Sequence, residues 1–153
     1  MKKLFLLFFM LLCSSFLRTY ATTWVQIDEN HYIDKDSIKY YTNDRGVFDF
    51  NKKTFWIKSV GNDIYKNSRV EFADEIAYGL TLYVINYSNN TIALKSGIIY
   101  DEEGISLNSY TFEDYQLEWH VIVPNSNSEY WAELVDKPSL VKKLYKSQIL
   151  DNK

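Results

Sequence analysis

The apolar positions of this chain come in short runs between polar breaks, and along most of its length they favour β-structure. Runs at residues 23–27 and 31–34 are parted by Asp28-Glu29-Asn30, and longer extended stretches cover 37–42 and 53–60. Residues 80–87, LTLYVINY, are rich in β-branched and aromatic side chains, and a further run at 91–100 follows the turn Asn89-Asn90. A strand over 105–110 follows a turn at Gly104. The last, over 119–123, stops at Pro124, which has no ladder donor. Glycine and asparagine stand where turns are needed, at Asp44-Arg45-Gly46, Asn89-Asn90 and Asp101-Glu102-Glu103-Gly104. Apolar runs joined by short turns predict an antiparallel meander.

The period changes near the C-terminus. Ser126 or Ser128 is placed to cap a helix, with Glu129 in its first turn. Tyr130, Trp131, Leu134 and Val135 then recur at helical spacing. Pro138 interrupts, and Leu140, Val141, Leu144, Tyr145 and Gln148 form a second amphipathic stretch that starts near Ser139. Residues 62–77 read as a loop carrying a short helix around 70–76. The expected fold class is α+β: an antiparallel meander of about six to eight strands with a C-terminal helix packed on one face.

The first residues follow another logic. Lys2 and Lys3 precede an unbroken apolar run at 4–12, and Thr19-Tyr20-Ala21 sets small side chains at positions −3 and −1 of a cut after Ala21. A positive end, a short apolar core and a small-residue exit make a secretory signal peptide over residues 1–21. A cut after Ser15 is the alternative. A retained membrane anchor needs ~20 apolar residues, about twice this run. Lipidation at Cys13 needs small residues before it, where Leu11 and Leu12 stand. Residues 22–153 are then a single domain.

Loss of the leader takes Lys2, Lys3 and Arg18, leaving 14 basic residues against 20 acids and a net charge of −6. Such a domain does not attract polyphosphate, which argues against a nucleic-acid partner. Cys13, the single cysteine, leaves as well, so stability must come from packing rather than disulfides. Catalytic constellations are missing from the pattern. His31 lies at a turn and His120 in a strand, each read as a solvated or strand-face histidine. Asp101, Glu102 and Glu103 read as a solvated turn, with weak calcium binding as the sharper alternative. Glu113 and Asp114 are adjacent and point apart, so they read as solvated charge rather than an acid–base pair. No cofactor, no metal and no enzymatic activity are expected.

Four stretches carry a resemblance. The first is Trp24-Val25-Gln26-Ile27 followed by Tyr32-Ile33-Asp34 and Ser37-Ile38; the second is Leu82-Tyr83-Val84-Ile85-Asn86. The third is Ile99-Tyr100-Asp101 with Gly104, and the fourth runs from Trp119 through Ile122 and Pro124-Asn125 to Ser126. In this order and spacing they resemble the surface-adhesin protein E family of bacterial exported proteins. The resemblance spans nearly all of the mature chain. It implies a small sheet with a C-terminal helix, frequent self-association, and attachment to host matrix proteins at the cell surface. Trp24, Gly104, Trp119, Pro124 and Ser126 are read as fold positions, the two tryptophans as core. Two cysteines usual in the family are missing; their places fall at Tyr87 and near Leu134 or Val135, which predicts that Tyr87 packs on the tail helix. Asn125 replaces a usual glycine. The function expected is a non-enzymatic surface or envelope protein with a protein partner. The alternative is a periplasmic structural, accessory or inhibitor-like protein without a host ligand. A candidate homodimer interface is the apolar, charge-poor segment 78–87 with Tyr78, Tyr83 and Tyr87, provided that it forms a sheet edge.

Overall fold

The computed structural model describes residues 22–61 and 73–151. The predicted leader, with Cys13, and residues 62–72 lie outside the described residues. Of the short helix expected around 70–76, a single 3-10 turn at Ala73–Glu75 is described. The strands are β1 (Trp24–Gln26), β2 (His31–Asp34), β3 (Lys39–Thr42), β4 (Phe48–Val60), β5 (Tyr78–Asn86), β6 (Thr91–Tyr100), β7 (Ser106–Thr111) and β8 (His120–Val121). Two helices close the chain, α1 (Asn127–Asp136) and α2 (Pro138–Asp151).

All eight strands form one antiparallel sheet in the order β1-β2-β4-β5-β6-β7, with β3 beside β4 and β8 beside β6. This is the expected α+β class with two departures from a simple meander. β4 is long enough to share one edge between two partners: β2 pairs with its C-terminal half (Ile33↔Ile57) and β3 with its start (Thr42↔Phe48). β6 likewise divides an edge between β7 (Gly97↔Tyr110) and β8 (Ile92↔His120).

β5 is the centre of the sheet, which corrects the expectation of an edge at 78–87. Its backbone is paired along its length with β4 on one side and β6 on the other. Two copies of the chain therefore have no free edge at β5 to pair through. Among the described residues the outer positions belong to β1, β3, β7 and β8, each with one strand neighbour.

Period-two alternation selects the face that the helices cover. Val25, Ile33, Phe55, Ile57, Ile85 and Ile92 from the sheet meet Trp131, Leu134, Val135 and Val141 from the helices in one buried cluster. Each such side chain contributes about 1.5–3 kcal/mol on burial. Trp131 is the tryptophan of this core. Trp24 and Trp119, expected there, are only partly buried and stand outside the cluster. With Val25 in the core, Trp24 faces the other side of the sheet.

Ser126 caps α1 as expected, its hydroxyl accepting from the Glu129 N–H at 3.3 Å. Pro138 does not merely interrupt; it is the first residue of α2, where a missing N–H costs nothing and the fixed φ suits a helix. Asn125 has φ +61°, so the position where the resemblance implies a glycine does require the left-handed region, which asparagine tolerates better than other side chains. Gly97 in β6 is needed for space. The Tyr110 ring of β7 lies across it, and a Cβ there would fall within 2.2–2.9 Å of ring atoms and hydroxyl.

Candidate functional site

β4 runs to Phe48, five residues before the start that apolar content predicts, and the extra length builds a hairpin with β3 that stands out from the sheet. Asn43 shapes its turn: the side-chain oxygen accepts from the N–H groups of Arg45 and Val47 at 3.0 and 2.8 Å. The arm is aromatic and wet. Phe48 and Phe50 are 64% and 75% exposed, and Tyr40 meets Phe50 edge-on at 5.5 Å.

A polar cross-tie holds the arm to the 3-10 turn Asp114–Gln116. Lys95 is the extra residue where the β5–β6 register shifts, since Leu82 pairs with Ser96 and Tyr83 with Leu94. Its ammonium donates to Asp44 Oδ1 and Asp114 Oδ1, both at 2.7 Å. The Tyr41 hydroxyl donates to Asp114. The two aspartates also accept from each other's backbone, Asp44 N–H to Asp114 Oδ2 at 3.1 Å and Asp114 N–H to Asp44 Oδ2 at 2.7 Å.

These contacts set the ionisation. Burial pulls the Lys95 ammonium down, but the bonds to Asp114 and Asp44 outweigh it and its pKa is raised. Lys95 and the Asp114 N–H hold Asp44 down to about 2. For Asp114, burial acts upward and is outweighed by Lys95, Tyr41 and the Asp44 N–H, a net lowering. Burial, then Asp114, pushes Tyr41 up to about 12. Glu113 is raised by its contact with the Asp44 carboxylate. The arrangement ties two turns together, and its charged groups are engaged with each other.

Between the arm and the segment 117–119 lies a groove of about 440 Å³, lined by Tyr41, Phe48, Phe50, Lys52, Leu117 and Trp119 among others. Lys52 crosses it, 5.8 Å from the Tyr41 ring, 5.6 Å from the Trp119 ring and 3.0 Å from Asp49. Trp119, read as a core residue, is thus a groove wall.

The other singled-out residues are dispersed. Tyr83 packs in the core between Phe55 and Trp131, with ring centroids at 5.8 and 5.4 Å. Tyr87 reaches the tail helix as predicted, its hydroxyl donating to the Ala132 carbonyl at 3.0 Å, and burial pushes its pKa up. Tyr78 stacks on Tyr100 at 4.8 Å beneath the Lys58 ammonium. The three therefore do not form one patch. His31 bonds to Asp28 at 2.8 Å and meets Trp131 edge-on; His120 is exposed on β8. Gly104 (φ +79°) closes the β6–β7 turn, donating to the Asp101 carbonyl at 3.2 Å. Pro124 lies between β8 and α1, and the Ser126 hydroxyl bonds back to the Val123 carbonyl at 2.6 Å. Among the described residues, no group of three or more His, Cys, Asp or Glu is placed to hold a metal ion.

No family model matches this chain, and no curated protein matches its sequence. Solved structures do match. Protein E from non-typeable Haemophilus influenzae superposes with a TM-score of 0.50 at 15% identity, over 81% of this chain and 86% of that one. The fold is shared with protein E. Crystal form II of Haemophilus influenzae protein E gives a TM-score of 0.48 at 15% identity, over 76% of this chain and 87% of that one. The likeness to protein E spans most of both chains at an identity that carries the fold alone. The Lys95 tie leaves no pattern in the sequence because its bonded partners lie 19 to 73 residues apart. Phe48 and Phe50 did leave a signal, since Val47-Phe48-Asp49-Phe50 resumes the apolar pattern directly after Gly46.

Proposed function

We propose that this chain is an exported, non-enzymatic domain, related to the protein E adhesins, that acts at the cell surface by binding another protein. The observation that carries the reading is the exposed aromatic arm of Tyr40, Phe48 and Phe50 on a fold shared with protein E. Exposed apolar patches of this kind mark interaction sites, and aromatic residues are enriched in them. The leader pattern at residues 1–21 supports export. Among the described residues no helix is long and apolar enough to cross a membrane. The engagement of Lys95, Asp44 and Asp114 with one another supports a structural rather than a catalytic role for these groups. A host matrix protein is the partner that the family resemblance implies.

Protease shaving of intact cells, with the released peptides identified by mass spectrometry, tests display. Release of peptides from the 40–50 arm is the expected result. Peptides released only after the envelope is permeabilised would assign the chain to the periplasm, as an accessory protein without a host ligand. Binding of the purified protein to a panel of immobilised extracellular-matrix proteins tests the partner class.

A further inference from the structure

β4 outruns its neighbour. Phe48 and Asp49 pair with Thr42 and Tyr41 of β3, while pairing with β5 begins at Lys52. The last contact on that side is the Tyr87 N–H bond to the Asn51 carbonyl at 2.9 Å. Beyond it, where a further strand would lie, the sheet gives way to the groove of about 440 Å³, within the ~300–1,000 Å³ of ordinary ligand clefts. Its far wall is also extended chain, with Leu117 at φ −65° and ψ 117°.

Charge is uneven along it. At the end formed by the tie, the carboxylates of Asp44, Glu113 and Asp114 meet a single ammonium, that of Lys95, and Asp44 and Glu113 sit against each other. Of these carboxylates Asp114 lines the groove itself; Asp44 and Glu113 stand beside it, as does the exposed Arg45. Along the rest of the wall Phe48 and Phe50 flank Asp49, whose carboxylate is neutralised by the Lys52 ammonium at 3.0 Å, and Trp119 stands opposite.

We propose that this groove takes an extended segment of a partner polypeptide, laid alongside the overhanging end of β4, with an apolar side chain against Phe48 and Phe50 and a lysine or arginine at the Asp44–Glu113–Asp114 end. Strand addition to an exposed sheet edge draws affinity from main-chain bonds and specificity from alternate side chains. A basic residue there matches the surplus carboxylates. The inference rests on the reading of the chain as a protein-binding domain. The two fail separately, because shaving reads display and the titration below reads the groove.

The probe is a blocked hexapeptide of alternating valine and lysine, titrated into the purified protein and followed by amide NMR. Saturable shifts confined to Phe48, Phe50, Leu117, Trp119 and their neighbours are expected, with an isomorphous valine–glutamate peptide leaving them unmoved. The double substitution Phe48→Ser and Phe50→Ser, at exposed positions that the fold does not need, should weaken binding at least ~10-fold. Glu113→Gln should weaken the lysine peptide and leave an alternating valine–serine peptide unchanged. No saturable shift in the groove, equal shifts with the glutamate peptide, or undiminished binding by the double variant would overturn the proposal.

Discussion

A lysine whose side chain is 13% exposed needs its charge matched, and Lys95 is held by two carboxylates. Lys95→Met would leave Asp44 and Asp114 facing each other without a cation. Because both carboxylates are partly solvated, the expected effect is a lowered urea midpoint, well short of the loss for a fully buried pair. The tie also carries a pH signature. Asp44 and Asp114 titrate lower in the folded chain than in the unfolded one, where aspartates titrate near ~3.9. Their contribution is present above that value and lost as pH falls through the folded values, about 2 for Asp44. Lys95 is raised, so its share is complete below the ordinary lysine value of ~10.4 and disappears only in stronger alkali. Stability between pH 4 and 2 should therefore fall more steeply in the wild type than in Lys95→Met. Thr54 supplies a change of opposite sign. Among the described residues its buried hydroxyl finds no partner, so Thr54→Val should stabilise the fold by about 1 kcal/mol, read in the same denaturation experiment.

Among the elements, β1 shows how an outer strand is protected. Odd residues face β2: Lys35 N–H reaches the Thr23 carbonyl, and Ile27 N–H reaches the His31 carbonyl. Gln26 therefore faces outward, where the Gln148 side chain meets it in both directions. The Gln148 amide donates to the Gln26 carbonyl at 2.7 Å and its oxygen accepts from the Gln26 N–H at 3.3 Å. One carboxamide thus stands in for a neighbouring strand and covers groups that invite pairing with other chains. Gln148→Ala should cost about 1 kcal/mol and raise the apparent mass in light scattering as protein concentration increases. Mass that stays constant at every concentration would show that α2 covers the strand without it. Element boundaries were legible where composition changed sharply: β2 and β6 fall where the apolar runs do, and Ser126 begins α1. The start of β4 was not, because Phe48 and Phe50 flank Asp49 yet stay outside the core, so the usual link between an apolar residue and the core fails there. The place of β5 in the sheet was not legible either. A strand rich in apolar residues reads alike at an edge and at the centre, and only the pairing partners distinguish the two.

At the scale of the whole molecule, one sheet face and two helices enclose a single core. The fold follows from the order of strand-like and helix-like runs, which is why the class was readable without the register. The groove was not readable, because Tyr41, Lys52, Leu117 and Trp119 come together through topology rather than spacing. Export is tested at this scale. N-terminal sequencing of the native protein should give Thr22 or a start within a few residues of it, and an intact Met1 would rule the leader out.

The contact between Gln26 and Gln148, and the shared burial of Val25 and Val141, join the first strand to the last helix. A polypeptide made from its N-terminus presents the sheet residues long before the helices that cover them. Val25, Ile33 and Phe55 then lack the apolar cover of Trp131, Leu134, Val135 and Val141 until those residues have been made. Completion of the domain thus waits for the helices at 127–151, so the nascent chain remains a substrate for holding chaperones and for threading through a narrow channel until those residues emerge.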